Sequence, residues 1–423
     1  MGVLASGTAL AQAISVLVLP VLTRLYTPAD FDLLAVYASA LGLGTVVACL
    51  RFNIAIPLPA DDATGMDLLL LALLAGLALA LLVALPVLLA PDWAAGLIGS
   101  REIRPYLWML PVGIALAAAY DALQFWATRK RRYGLVSKTR MVRAGGGAVL
   151  QGGFGALAAR PFGLLFGHMA MNGLGVVGLM ARMRREDNAT LRDRSISSLR
   201  ATARRYRRFP LLSVPEALLN TAGLEVSILI IAAWAIGPEA GFLMLALRVM
   251  GIPMSLIGIS VGQVFLTEAP DKLRSGELAA FTRKTIGRLL LYGGPLIVLI
   301  GLVSPIVFPI AFGPGWERAG EMMIWLAPLF VLQFAFSPVS FVFQVAGRLG
   351  AALLLQLAGC VVRIGALVVA IETASGLLVE TFAVVGAAFY ALALVVVVLY
   401  ADRTPARAGA RGDPWDGHRK DQT

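Results

Sequence analysis

The chain alternates long apolar runs with short polar breaks, and one break is far more basic than the rest. The stretch 182–208 separates two apolar arrays, each of which divides into six pieces. Runs such as 68–90 and 377–400 have the length that a bilayer demands of a helix, about 20 residues at about 1.5 Å rise each. The pattern predicts spans at 3–22, 33–50, 68–90, 106–126, 144–159 and 161–181. After the break it predicts spans at 209–236, 240–267, 289–312, 320–346, 350–371 and 377–400. The fifth is short and Gly-rich, which predicts close packing against a neighbour.

The second array echoes the first. The segment 28–35 (PADFDLLA) resembles 238–245 (PEAGFLML), Trp108–Pro111 resembles Trp325–Pro328, and Gln124 with Arg129 resembles Gln344 with Arg348. The offsets, 210, 217 and 219–220 residues, rise slowly along the chain. Six spans is an even number, so the two halves share an orientation. The expected fold is an all-α integral membrane protein. About twelve transmembrane helices form two parallel-related six-helix lobes around a central cleft. The organisation expected is an N-terminal lobe (1–181), a basic cytoplasmic linker (182–208), a C-terminal lobe (209–400) and a disordered cytoplasmic tail (401–423).

Charge orients this array. With both termini in the cytoplasm, 29 of the 36 Lys and Arg fall in inward connections and five in outward ones. That is a strong positive-inside bias, and it fixes the orientation of a multi-pass membrane protein. The bias also explains the net charge of +11 without nucleic acid as a partner. The clusters 129–132 and 204–208 are expected against anionic headgroups. The linker is expected to hold an interfacial helix over 196–206. Composition agrees: 59% of residues are hydrophobic and 14% charged, with a mean hydropathy of +0.81, too poor in charge for a soluble domain of this length. Cys49 and Cys360 read as buried small hydrophobes. No phosphate-binding Gly loop or metal-spaced His/Cys cluster is found in the sequence, so no cofactor, metal or enzymatic chemistry is expected.

Two arginines remain inside spans. A charge at mid-bilayer costs at least about 2.5–3.5 kcal/mol and tends to serve a function. Arg363 lies deep in the eleventh span, and Arg248 lies in the eighth, ahead of the helix-distorting Pro253. Guanidinium groups bind phosphate oxygens with paired donors, so both suit an anionic, phosphate-bearing substrate. Internal ion pairing or snorkelling is the structural alternative. The seventh span carries Glu216, Asn220 and Glu225. Glu216 fits a first-turn acid near the interface, whereas Glu225 turns to the opposite side as a proton acceptor or an arginine partner. Asp121 is a third candidate for ion coupling, with pairing to 129–132 as its structural alternative. Gln12 and Asn220 join the arginines as candidate substrate contacts. Gln151, His168 and Asn172 read as helix–helix hydrogen bonders. A duplicated bundle with charges left inside it reads as a transporter.

The segment 19–31 (LPVLTRLYTPADF) resembles the P-x-L-T-R-L-Y-T-P-x-D-F-G opening of bacterial O-antigen and exopolysaccharide flippases. These belong to the multidrug/oligosaccharidyl-lipid/polysaccharide exporter superfamily. The segment 51–59 (RFNIAIPLP) is similar to that family's R-Y-E-x-A-I-x-L-P. Phe209–Pro210, Asn220 and 253–265 fit its seventh and eighth spans, so the resemblance covers nearly the whole chain. Asp32 stands where the family usually has Gly, and Asn53 replaces the usual Glu. The chain also begins almost inside its first span, where relatives carry a polar leader, so the natural start is expected upstream. The resemblance implies transfer of an undecaprenyl-diphosphate-linked oligosaccharide from the cytoplasmic to the periplasmic leaflet. Membrane lipids, a polysaccharide polymerase and other assembly proteins are the implied partners. The rivals are a cation-coupled multidrug exporter of the same superfamily, a membrane enzyme acting on lipid-linked sugars, and a non-transporting scaffold.

Overall fold

The computed structural model describes residues 2–346 and 348–403; of the disordered tail expected at 401–423, residues 401–403 instead close the last helix, and the rest, with His418, lies outside the described residues. Twelve long helical segments are described. The first lobe holds α1 (Gly2–Leu17, continued after Val18 by Leu19–Leu25), α2 (Pro28–Ala48), α3 (Asp62–Leu89), α4 (Met109–Arg129), α5 (Tyr133–Ala156) and α6 (Phe162–Glu186). The second holds α7 (Phe209–Trp234), α8 (Glu239–Arg274), α9 (Leu278–Phe312), α10 (Pro314–Val345), α11 (Leu349–Thr373) and α12 (Leu378–Arg403). Among the described residues, nine of these are long and apolar enough to cross a membrane unaided.

The lobes repeat one packing scheme. In the first, α1 packs on α5, α3 on α4, α5 on α6, α4 on α6 and α2 on α4. In the second, α7 packs on α11, α9 on α10, α11 on α12, α10 on α12 and α8 on α10. Every pairing recurs six helices later, which agrees with the weak repeat in the sequence. Small residues make the close approaches. Gly301 of α9, for example, lies against the Met323 carbonyl oxygen and Ala327 of α10, and a Cβ there would come within 2.8 Å of the Ala327 methyl.

The fifth helix departs from the sequence reading. It begins at Tyr133, eleven residues before the expected start. The expected 16-residue span would reach only about 24 Å at the α-helical rise, short of a hydrocarbon core of about 30 Å. Its first turns carry Lys138, Arg140 and Arg143, which masked the helix as a loop.

At the basic end the arginines are also placed differently from expectation. Arg129 is almost buried and anchors the turn between α2 and α3. It donates to the carbonyl oxygens of Ile56 (3.0 Å), Pro59 (2.7 Å) and Asp61 (2.8 Å), and to Asp62 Oδ1 (3.0 Å). Arg132 pairs with Asp187 (2.9 Å) and Glu186 (2.8 Å), while Lys130 bridges Asp62 and Asp187. Burial alone pushes the Asp187 carboxyl up, but hydrogen bonds from Arg132 and Trp126 outweigh it and hold it below its ordinary value. These three cations therefore meet protein acids rather than lipid headgroups. These acids come from the ends of other helices, so the local sequence does not show the pairing. Arg129→Ala would strand several loop carbonyls together. It is expected to lower stability by about 1–3 kcal/mol, read as a fall in thermal unfolding temperature in detergent.

The linker helix forms as the sequence predicts, over Ile196–Arg205. It docks on α3 through one buried carboxylate. Asp67 accepts from the hydroxyls of Ser198 (3.1 Å) and Thr202 (3.0 Å). Arg204, Arg205, Arg207 and Arg208 stay exposed.

Candidate functional site

The two lobes meet most tightly at the end opposite the basic connections, where the repeated turns 28–35 and 238–245 touch each other. The first turn is a helix start built by a capping box. Thr27 N–H donates to Asp30 Oδ2 (2.8 Å) and Asp30 N–H donates back to Thr27 Oγ1 (3.3 Å), which accounts for the T-P-x-D spacing. Pro28 occupies the first helical position, where a missing N–H costs nothing. Asp32, one turn on, accepts the backbone N–H of Gly241 at the start of α8 (3.1 Å). Trp316, buried at the start of α10, donates from Nε1 to the Thr23 carbonyl oxygen (3.2 Å). Phe31 (4.8 Å) and Phe242 (5.8 Å) stand edge-on to its ring. Arg318 ties α8 to α12 by pairing with Glu239 (3.0 Å) and Glu380 (2.7 Å). This clasp joins the lobes across the end of the bundle.

Further in, the seam is unequal. α2 lies along both α7 and α8, whereas α1 meets α8 only briefly. Beside that loose contact a cavity of about 360 Å³ opens. Gln12 and Ser15 of α1, Gln151 of α5, His168 of α6 and Arg248 of α8 supply its polar walls. Among the described lining residues the only formal charge is Arg248, and no carboxylate is present. Gln151 is held in place, donating to the Leu164 carbonyl oxygen (3.1 Å). His168 stands perpendicular to Tyr37 at 6.0 Å, and its buried Nδ1 has no hydrogen-bond partner among the described residues. The chamber is apolar, weakly polar at points and positive. Such a lining accommodates an anionic group with hydroxyls better than a cation.

The structure brings two of the sequence candidates, Gln12 and Arg248, into this cavity. Arg363 is placed elsewhere, inside the second lobe. Its guanidinium lies over Phe389 (4.5 Å) and Tyr390 (5.0 Å) of α12, beside Gly223 of α7, and its buried Nε has no hydrogen-bond partner among the described residues. Gly223 leaves the room for it, since a Cβ there would come within 3.4 Å of Nη1. Glu225 sits on the lobe seam, accepting from the Ser39 hydroxyl of α2 and packing against Gly42. Glu216 and Asn220 are exposed on α7, Glu216 in the first turn after Ser213. Asp121 is half-buried on α4, and the nearest charges on it belong to Arg143, Arg140 and Arg51. The acids opposite 129–132 are instead Asp62, Glu186 and Asp187.

Arg143 is the residue that sequence reasoning missed. Its guanidinium stacks on Tyr120 at 3.9 Å, and it donates to the Met171 carbonyl oxygen (3.0 Å) and to Asn172 Oδ1 (2.9 Å). Asn172 in turn donates to the His168 carbonyl oxygen (3.0 Å), so Arg143 braces the cavity wall. It lies 220 residues before Arg363, the same offset that relates Gln124 to Gln344. Each lobe thus carries an aromatic-stacked arginine on its fifth helix. The constant offset was the signal available for finding it. Arg51, of the 51–59 segment, adopts a left-handed φ of 60°, and among the described residues neither its buried Nε nor the buried Asn53 Oδ1 has a hydrogen-bond partner.

The profile of a protein family described as polysaccharide biosynthesis protein matches residues 21–321. No curated sequence matches the chain. Solved structures share its fold. One is an inward-facing multidrug resistance MATE family transporter of the MOP superfamily, 16% identical with a TM-score of 0.62, covering 94% of this chain and 92% of that one. Another is the lipid II flippase MurJ in an inward closed conformation, 10% identical with a TM-score of 0.67, covering 95% and 87%. A mutant of the Vibrio cholerae MATE transporter VcmN is 13% identical with a TM-score of 0.57, covering 94% and 96%. At these identities the likeness shows the fold alone and says nothing of role or cargo.

Proposed function

The chain belongs to the family of polysaccharide biosynthesis proteins, and on that footing we propose that it is a flippase for undecaprenyl-diphosphate-linked oligosaccharide. It moves the sugar and diphosphate head from the cytoplasmic to the periplasmic leaflet of the bacterial inner membrane, for O-antigen or exopolysaccharide assembly. Both termini are cytoplasmic, and the basic end of the bundle faces the cytoplasm. It acts by transport rather than as an enzyme. The observation that carries this reading is the cavity beside α1 and α8, with Arg248 as its one charged wall residue and no described carboxylate. A guanidinium in an apolar chamber favours a phosphate oxygen by paired, charge-assisted hydrogen bonds. The clasp closes the periplasmic end, so the state described takes its load from the cytoplasm. Rocking the lobes would break the clasp and turn the cavity outward, while the polyprenyl tail stays in lipid.

Gln12 and Arg248 meet the head group in this state, and Arg363 and Asn220 serve it on the path through the second lobe. Glu225 on the seam, with Glu216 and Asp121, carries the coupling proton or cation. A multidrug exporter of the same superfamily would call for a negative chamber to hold cationic drugs, which the described lining does not provide. Polymerase and other assembly proteins receive the product. The test is reconstitution in vesicles with a fluorescent undecaprenyl-diphosphate oligosaccharide. Its head should become accessible in the opposite leaflet at a rate raised by the protein and by an ion gradient. A protein-independent rate, or a rate equal to that of an organic cation exporter's substrate with no flipping of the lipid, overturns the reading.

A further inference from the structure

A second cavity lies on the flank of the second lobe, away from the chamber described above. It measures about 400 Å³ and is enclosed by α8, α9 and α10. Its inner walls are apolar: Val261 and Phe265 of α8, Leu289 and Gly293 of α9, and Phe334 of α10. Its outer edges, Val264 and Tyr292, are 54% and 75% exposed, so the crevice opens sideways, where the bilayer lies. A five-residue π-helical turn, Leu289–Gly293, shapes one wall. Such turns interrupt α-helices mostly at functional places. Gly293 lets the Phe334 ring lie against the backbone.

The charges in this crevice are not spread along it. α8 runs toward the basic end and finishes at Arg274, whereas α9 starts from that end at Leu278. Glu268 therefore lies nearer the basic end than Val261 and Val264, and Arg288 nearer than Tyr292. Six and ten residues of helix put them about 9 and 15 Å in from the helix ends, in the band where headgroups give way to acyl chains. Both are exposed wall residues, and Thr285 lies on the same wall. One acid and one base stand at the mouth, with apolar walls behind them. A zwitterionic lipid with a primary amine has the same order: ammonium and phosphate at the interface, chains below.

We propose that this crevice is a binding site for an aminophospholipid, with Glu268 accepting from the ammonium, Arg288 donating to the phosphate and an acyl chain lying along Phe265, Tyr292 and Phe334. The carboxylate makes the site selective. An anionic glycerol headgroup offers Glu268 only neutral hydroxyls and leaves the net negative charge uncompensated, and a quaternary choline has no N–H to give it. A polyprenyl phosphate would use the apolar walls and Arg288 but has no ammonium to give Glu268.

The full-length protein, purified in detergent and freed of lipid, is titrated with phosphatidylethanolamine, phosphatidylcholine or phosphatidylglycerol and read by native mass spectrometry. Wild type is expected to retain phosphatidylethanolamine about tenfold more strongly than the other two. Glu268→Gln should erase that preference with little change for phosphatidylglycerol. Arg288→Gln should weaken all three. Both positions are exposed, so the variants should unfold at the wild-type temperature, and a variant that does not is replaced by Glu268→Ala or Arg288→Lys read in the same titration. Equal retention of the three lipids by wild type overturns the proposal. So does an unchanged preference in Glu268→Gln, or displacement of phosphatidylethanolamine by undecaprenyl phosphate at equal concentration.

Discussion

Arg248→Ala is expected to cut transfer of an undecaprenyl-diphosphate oligosaccharide by about 10- to 100-fold, the loss of one charge-assisted pair at about 1.5–3 kcal/mol. Arg248 is the only formal charge among the described lining residues of the cavity, so no neighbour can take over its role there. Arg248→Lys should recover part of the rate, because an ammonium keeps the charge but loses the planar fork. Membrane insertion should not change, since removing a charge from a span eases insertion. Arg363→Ala should also slow transfer, for a mixed reason. Its guanidinium stacks on Phe389 and Tyr390, so the variant also loses cation–π packing of about 0.5–2 kcal/mol and should unfold at a lower temperature. The two arginines occupy separate places, and their fold losses should multiply in the double variant. Flipping in vesicles and unfolding in detergent separate these effects. Wild-type flipping by Arg248→Ala would remove the cavity from the transport path.

What the sequence made legible follows from what its signals physically report. Hydrophobic run length reports a bilayer crossing, and all twelve segments appear in the predicted order. The helix at 196–205 was legible because its polar and apolar positions alternate at helical spacing next to the membrane. The duplicated turns 28–35 and 238–245 were legible as similar strings. That they would touch each other was not, because a pseudo-twofold relation brings equivalent segments together only at the lobe seam. Arg143 was lost because a charged helix start and a loop look alike in a hydropathy count. Arg129, Lys130 and Arg132 read as lipid-facing in the sequence because net charge is visible there and pairing is not. Their acids, Asp62 and Asp187, lie more than fifty residues away. The cavity itself had no sequence signature beyond isolated polar residues, four of which, Gln12, Gln151, His168 and Arg248, line it.

Asp32 shows how a departure from a family pattern gains meaning from packing, and it leads to the prediction with the clearest steric cause. Its carboxylate accepts from Gly241 across the lobes, an interaction that a glycine at position 32 lacks. Gly241 in turn has no space for a side chain. A Cβ there would stand 2.6 Å from the Asp32 backbone nitrogen and 3.1 Å from the Phe31 carbonyl carbon. These are backbone atoms on a capped helix start, so they do not yield as a side-chain tip would. Gly241→Leu is therefore expected to prevent the clasp from closing, at a cost of roughly 1–3 kcal/mol or more to the closed state. A shift of that size moves a closed population from dominant to minor. The lobes should separate at this end, and transfer should stall because the cycle cannot return to the cytoplasm-open state. Spin labels at Ala29 and Gly315, exposed on opposite sides of the clasp, in a background with Cys49 and Cys360 replaced by alanine, report the separation directly. The distance distribution should move outward in Gly241→Leu. Asp32→Gly, which removes the carboxylate at Gly241 without adding a clash, should populate the longer distance partially while keeping flipping. An unchanged distribution in Gly241→Leu would mean that the contact between the two turns does not hold the lobes closed.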